Sequence, residues 1–483
     1  MNAFCKILDN KIFLYLGTRY AVYGLQFVSL MLVATKMDPY EYGKWGFVLM
    51  LISYFATINF GIANSANILM VQNKNDLVKQ KEYVASAIVS ISFLILGILV
   101  VAIIYSQIEF EIFAKYEIGQ LFYIICIIAS LEYINRLFSN IYRVYNRLLE
   151  LSIYQSSIPV LIFVSVIFFS GTTLFYALII SYLTAHILSL LFFVFRGGIP
   201  FGGKVSWKAI YTILNKGLFL FLYNASFYLI LITLSFVISK YYTVIEYGLY
   251  TFSYNLGHAI LMILEAFTFL IFPKLVDKLY SDDLDDVNKT LVAVRDNYVS
   301  LSHGLMYMAL LFFPIVIFLF PKYEDCLAAL YITSLAILLS TNSFGYNTLL
   351  IARNREKTAS LISLGSLLCT VLIAVVFSSC NVPFWTVPFS MMISYYLFAL
   401  FCSFASSTIL KRKVSIINSM SSVMPIKMFV PFLIALLIPI CGLYWLSFAP
   451  LLIFTILNRG SIGAIMQTAK SIYHNSSFID IKK

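Results

Sequence analysis

The stretch VASAIVSISFLILGILVVAIIYS, residues 84–106, carries no charged side chain and few polar ones. A helix rising 1.5 Å per residue needs about 20 apolar residues to cross a hydrocarbon core roughly 30 Å thick, so this stretch predicts a membrane-spanning helix. Blocks of the same kind recur along the chain at 12–34, 42–70, 120–141, 151–171, 173–195, 210–239, 247–272, 298–320, 327–351, 359–379 and 384–408. A last apolar stretch, Met428–Leu457, contains Pro431, Pro439, Gly442 and Pro450 and reads as two short helices with a turn between them.

Composition agrees with a polytopic membrane protein. Of 483 residues, 61% are hydrophobic and 11% charged, and the mean hydropathy is +0.91, which leaves too few polar side chains to cover a water-facing surface. Secretion, soluble enzymology and nucleic-acid binding are excluded as starting points. The net charge of +11 must instead be read by its position relative to the bilayer. The seven cysteines are scattered, without a CxxC pair or a histidine at ligand spacing, and read as free thiols rather than a disulfide framework or zinc site. The apolar run from Ile12 is too long for a signal-peptide core and is expected to remain as the first span.

With a cytoplasmic N-terminus, the inside loops carry twenty-two of the 33 Lys and Arg residues, and the outside loops only Lys36, Lys44, Lys115, Lys240 and Lys322. Two short final helices return the basic tail to the same side, the asymmetry expected of cytoplasmic loops. The reading is therefore all-α with 14 spans and both termini inside. Every loop is short, so function is expected within the helical bundle. The acidic run Asp282, Asp283, Asp285 and Asp286 reads as a solvated inside loop.

The two halves share features at equivalent places. Glu41-Tyr42-Gly43 opens the second span, followed by Trp45 and Phe47; Glu246-Tyr247-Gly248 opens the eighth, followed by Tyr250 and Phe252. Asn146-Arg147 precedes the fifth span and Asn354-Arg355 the eleventh. Both pairs lie six spans apart with nearly equal offsets, which implies two parallel six-helix bundles: residues 1–196 and 210–408, joined by a cytoplasmic linker at 197–209 and followed by two added helices and a tail at 409–483.

In these motifs, its length and its layout the chain resembles the multidrug/oligosaccharidyl-lipid/polysaccharide exporter superfamily, in particular the O-antigen and oligosaccharide flippase (Wzx-type) branch. The resemblance covers nearly the whole chain. It implies a V-shaped, pseudo-two-fold bundle around a central cavity lined mainly by the first, second, seventh and eighth helices. It also implies a function: moving an undecaprenyl-pyrophosphate-linked oligosaccharide, such as an O-antigen unit of lipopolysaccharide, from the cytoplasmic to the periplasmic leaflet of the bacterial inner membrane. Such a protein is not an enzyme and needs no cofactor. Its partners would be the lipid-linked glycan, membrane lipids, H+ or Na+ as coupling ion, and a polysaccharide polymerase and chain-length regulator.

Polar residues at membrane depth are costly and usually face water or a partner. At about 100° per residue, the first span aligns Tyr15, Arg19, Tyr23 and Gln26; the second aligns Ser53, Thr57, Gly61, Asn64 and Asn67; the eighth aligns Thr251, Asn255, His258, Met262 and Glu265. The seventh places Lys216 and Tyr223 on one face, with Asn224 and Ser226 to either side. Arg19 and Lys216 are candidate phosphate contacts, Arg as a bidentate fork and Lys as a point charge. Tyr15 and Tyr23 are candidate sugar contacts, and Gln26, Asn64, Asn67, Asn224, Asn255 and His258 complete the substrate-binding set. Glu265 reads either as an ion-coupling carboxylate or as the structural partner of Arg19. Glu132 and Arg136, four residues apart, are expected to neutralise each other.

Other chemistry is missing from the sequence. The segment from Gly198 to Lys204 has phosphate-loop spacing, but Val205 stands where Ser or Thr is needed to hold magnesium, and no strand precedes it. It reads as the inside linker. There is no HExxH or GxSxG motif, and the four histidines are dispersed. A drug/cation antiporter of the same superfamily is the alternative, but its cavity should be acidic, and the first span offers Arg19 with no acid. A membrane glycan polymerase would be expected to use larger catalytic loops.

Overall fold

The computed structural model describes the backbone of residues 11–108, 110–412, 415–461 and 463, and all regular structure within it is helical. The helices are α1 (Lys11–Lys36), α2 (Pro39–Thr57), α3 (Ile62–Gln72), α4 (Leu77–Gln107), α5 (Glu111–Lys115), α6 (Leu121–Val144), α7 (Leu148–Phe168), α8 (Gly171–Arg196) and α9 (Trp207–Tyr241). They continue as α10 (Val244–Leu279), α11 (Leu284–Leu319), α12 (Leu327–Thr341), α13 (Tyr346–Ala352), α14 (Glu356–Ser379), α15 (Pro388–Ile409), α16 (Ile416–Val423), α17 (Ile426–Cys441) and α18 (Ala449–Leu457).

Every apolar block of the sequence coincides with a helix or an interrupted helix. Among the described residues nine helices are long and apolar enough to cross a membrane, and up to 11 if each sharply bent pair is one span. The chain is a multi-pass membrane protein. That criterion leaves out α1, α10 and α18; fourteen is reached only by adding these, so the figure stays a proposal. The placement of the two termini inside lies outside the described residues.

The two repeated motifs have physical causes. In Glu41-Tyr42-Gly43 the glutamate is the third residue of α2, whose cap Asp38 accepts from the Glu41 amide at 2.9 Å. In Glu246-Tyr247-Gly248 the same position forms a reciprocal box: Glu246 Oε2 accepts from the Thr243 amide at 2.9 Å and the Glu246 amide donates to Thr243 Oγ1 at 3.2 Å. The glycines let α2 and α10 cross. A Cβ on Gly43 would overlap the Val244 carbonyl oxygen, and one on Gly248 would overlap that of Pro39. Around the crossing, Tyr42 packs edge-on against Phe252 with ring centroids 6.0 Å apart, and Tyr116 against Tyr247 at 5.6 Å.

The Asn-Arg pair is a helix stop. Asn146 and Asn354 both sit in the left-handed region, at φ 54° and 52°. The following amides reach back five residues, Arg147 to the Tyr142 carbonyl at 3.0 Å and Arg355 to the Leu350 carbonyl at 2.8 Å. This is a Schellman-type ending, for which Asn is the usual substitute for glycine.

Residue contacts divide the chain into two compact units, Met1–Phe252 with Ser378–Cys380, and Ser253–Phe377 with Asn381–Lys483. In the first, α1 packs on α7, α7 and α6 on α8, and α3 and α4 on α6, while α9 lies against α2, α3 and α4. Cations finish exposed helix ends there. Lys36 Nζ donates to the Val166 and Ile167 carbonyls at 2.5 and 2.9 Å, and Lys115 Nζ to the Ser239 carbonyl at 2.7 Å and to that of Tyr242. Lys44, 5% exposed, pairs with Glu117 at 2.8 Å. Hydrogen bonds from Lys44 and Tyr40 hold the Glu117 carboxyl below its ordinary pKa.

The second unit is built on α12, which is buried along most of its length and packs against α11, α15 and α17. Its turn at 342–345 is secured by Arg295 of α11. The guanidinium donates to the Asn342 carbonyl at 2.7 Å, to Phe344 at 3.1 Å and to Ser422 at 3.1 Å. Beside it, His303 bridges Tyr307 and Asn342 at 2.9 and 3.1 Å, fully buried.

Candidate functional site

The apolar block 42–70 is interrupted near its middle. α2 and α3 meet at a bend of 41°, with Phe60 and Gly61 at φ 48° and 67°. Asn59 makes the turn: its amide donates to the Ala56 carbonyl at 2.7 Å and its oxygen accepts from the Gly61 amide at 2.8 Å. A break at membrane depth leaves carbonyls without helical partners, and in lipid these must be satisfied from elsewhere. Residues of α6 do this. The Tyr133 hydroxyl lies 2.5 Å from the Phe55 carbonyl oxygen and 2.9 Å from that of Ile58, and an Arg136 nitrogen lies 3.4 Å from that of Ala56. On the other side Gly61 abuts α9, where a Cβ on it would sit 3.1 Å from Phe221 Cβ.

A cavity of about 270 Å³ opens beside the break, lined by Asn59, Asn64, Tyr133, Arg136, Asn140 and Tyr154 together with Ile62, Ala63, Ile91 and Leu94. Arg136 is held by Glu132, with Nε and one terminal nitrogen 2.8 and 2.7 Å from the same carboxylate oxygen. The expected neutral pair is formed. Its carboxylate is nearly covered, at 11%, while the Arg136 side chain is 44% exposed and faces the open space. All of these groups belong to the first unit.

The residues predicted from the sequence are distributed as follows. Arg19 is half-buried, its guanidinium 5.1 Å from the Tyr23 ring centroid, and no described carboxylate forms a salt bridge with it. Gln26 is half-buried with a covered oxygen that meets no donor. Asn67 donates to the Asn140 carbonyl at 3.0 Å, tying α3 to α6, and Asn64 is exposed on the cavity wall. Lys216 of α9 donates to Gln72 Oε1 at the end of α3, an amide that leaves its charge intact. Asn224 is half-buried. Asn255 and His258 belong to the second unit, where His258 lies 5.7 Å from the Tyr254 ring. The side chains of Tyr15 and Glu265 lie outside the described residues.

Thus the structure joins Asn64 and Asn67 to a site on α6 and α7 that sequence reasoning passed over. The sequence presents Arg136 only as half of a neutral pair, and its spacing does not mark out Tyr133, Asn140 or Tyr154. One signal was present: block 42–70 exceeds the roughly 20 residues a straight span needs, and Asn59 and Gly61 sit near its centre.

No family model and no curated protein matches the sequence. Solved structures do match. An inward-facing multidrug resistance MATE transporter aligns with a TM-score of 0.64 at 14% identity, covering 81% of this chain and 94% of its own. The lipid II flippase MurJ in an inward closed conformation aligns at 0.64 and 16% identity, covering 93% and 99%. An outward-facing MATE transporter gives 0.58 at 13%. The resemblance drawn from motif placement therefore holds at the level of architecture: this chain has the fold of the multidrug/oligosaccharidyl-lipid/polysaccharide exporter superfamily.

Proposed function

We propose that the protein is a flippase that carries a polyprenyl-pyrophosphate-linked oligosaccharide, an O-antigen or similar surface-glycan unit, across the bacterial inner membrane by alternating access. The observation that carries this reading is the likeness to a lipid II flippase over 93% of the chain. The electrostatics of the first helix supports it, since Arg19 stands at membrane depth without a described counter-ion and α1 contains no acid. Burying such a charge is costly unless an anion comes to it. In this reading Arg19 and Lys216 receive the pyrophosphate, Tyr15 and Tyr23 stack on sugar, and Gln26, Asn64, Asn67, Asn224, Asn255 and His258 complete the path. Residues 1–196 and 210–408 act as two lobes, with 409–483 appended, and a polymerase and chain-length regulator act next to it.

The test is complementation of bacterial strains each lacking one defined flippase, read by the surface glycan that returns. Wild type is expected to restore one glycan; Arg19→Ala should reduce it at least tenfold at equal membrane level, and Arg19→Lys should retain part. Full display by the alanine variant removes Arg19 from the site. Coupling is tested in vesicles. If Glu265 couples, dissipating the proton or sodium gradient slows flipping by wild type and leaves Glu265→Gln at its own, lower rate; equal inhibition of both excludes the role.

The likeness to MATE transporters favours a second reading, export of small amphipathic cations. Gradient-driven efflux of a cationic dye, with no glycan restored in any strain, would establish it over the first.

A further inference from the structure

We infer that the cavity at the break between α2 and α3 is a subsite for one neutral sugar ring. The inference rests on the flippase reading only for its biological meaning; the binding itself follows from the cavity. Its volume of about 270 Å³ is far above what a single water needs and leaves room for a ligand the size of a monosaccharide.

The walls are of two kinds. Ile91 and Leu94 of α4 form an apolar side, while Asn64, Arg136, Asn140 and Tyr154 present donors and acceptors. A pyranose has the same division, with C–H faces and a rim of hydroxyls that each donate and accept. The available groups match that rim. Among the described residues neither the Asn64 amide nor the Tyr154 hydroxyl has a hydrogen-bond partner, whereas Asn59 and the Tyr133 hydroxyl are already spent on the helix break. Arg136 keeps N–H groups beyond those given to Glu132.

Charge excludes the other ligand classes. A cation would lie beside a guanidinium, and the Glu132 carboxylate is already engaged with it. A phosphate or carboxylate ligand would face the negative charge of Glu132, which already neutralises Arg136. An apolar ligand would strand Asn64 and Tyr154 without water. A neutral, hydroxyl-rich ring leaves the pair intact and satisfies both free groups.

Saturation-transfer NMR on the full chain in lipid nanodiscs tests this with free galactose, mannose, N-acetylglucosamine, glucuronate and inorganic pyrophosphate as probes. At least one neutral sugar should show transfer, reduced at least fivefold in Asn64→Leu and measurably in Tyr154→Phe, which removes only a hydroxyl. Both positions face the cavity, so the variants should elute as wild type does on size exclusion. Absence of transfer to every neutral sugar, equal transfer in both variants, or preference for glucuronate or pyrophosphate would overturn the subsite. Sugar transfer lost in the variants, in a protein that restores no glycan in any strain, would overturn the flippase reading and leave the subsite standing.

Discussion

Replacing Gly248 by leucine is expected to abolish folded protein, and replacing it by alanine to lower the folded yield severely. The helices α2 and α10 cross with backbone against backbone: a Cβ on Gly248 would overlap the carbonyl oxygen of Pro39 and lie 3.0 Å from the Gly43 amide nitrogen. Neither obstacle is a side chain that can rotate away. An extra methylene among side chains costs about 1–3 kcal/mol, and here the first turn of α2 must itself move. Doing so opens the contact between the Tyr247 hydroxyl and the Gly46 carbonyl, now 3.3 Å apart. Size-exclusion profiles and thermal midpoints of a fluorescent fusion measure the effect. Gly365→Ala, where a Cβ would meet nothing within 4 Å, is the control. A Gly248→Ala variant as stable as that control would show that the crossing relaxes without cost.

The same crossing shows why the architecture was legible. Glutamate caps, glycine at a close approach and a left-handed asparagine after the last helical residue act through neighbours in the chain, so their letters recur wherever the shape recurs. The helix break and its cavity left a fainter trace. Asn59 and Gly61 mark a possible turn, but the groups that satisfy the opened carbonyls, Tyr133 and Arg136, stand more than seventy positions away and pair with them only after α6 has packed. The charge rule leaves five lysines in the outside loops without an assigned task. In the structure Lys36 and Lys115 close helix ends and Lys44 is an ion-pair partner, so three of the five serve backbone or side-chain neutralisation.

Both units therefore place an arginine at an interrupted helix, and the second arginine makes the sharper stability prediction. Arg295→Ala is expected to destabilise the protein by about 3–5 kcal/mol, because it removes the donor of several carbonyls at once. Arg295 is 5% exposed and stands 3.6 Å over the Tyr346 ring. Its loss leaves the Asn342, Phe344 and Ser422 carbonyls without their donor, at about 1–3 kcal/mol for each one that stays buried, offset in part by no longer burying a cation. Arg295→Lys should fall between, because an ammonium lacks the planar fork with which α11 reaches the 342–345 turn and α16 together. Thermal unfolding in detergent measures this, and an alanine variant that melts like wild type would mean the turn is held without its donor. Arg136 should behave differently. Its side chain is 44% exposed toward a cavity and contributes one long contact to the break, where Tyr133 supplies the short ones. Arg136→Gln, which keeps a donor for Glu132, should therefore shift the melting midpoint far less than Arg295→Ala while weakening sugar transfer, separating an arginine that holds a turn from one that faces a ligand.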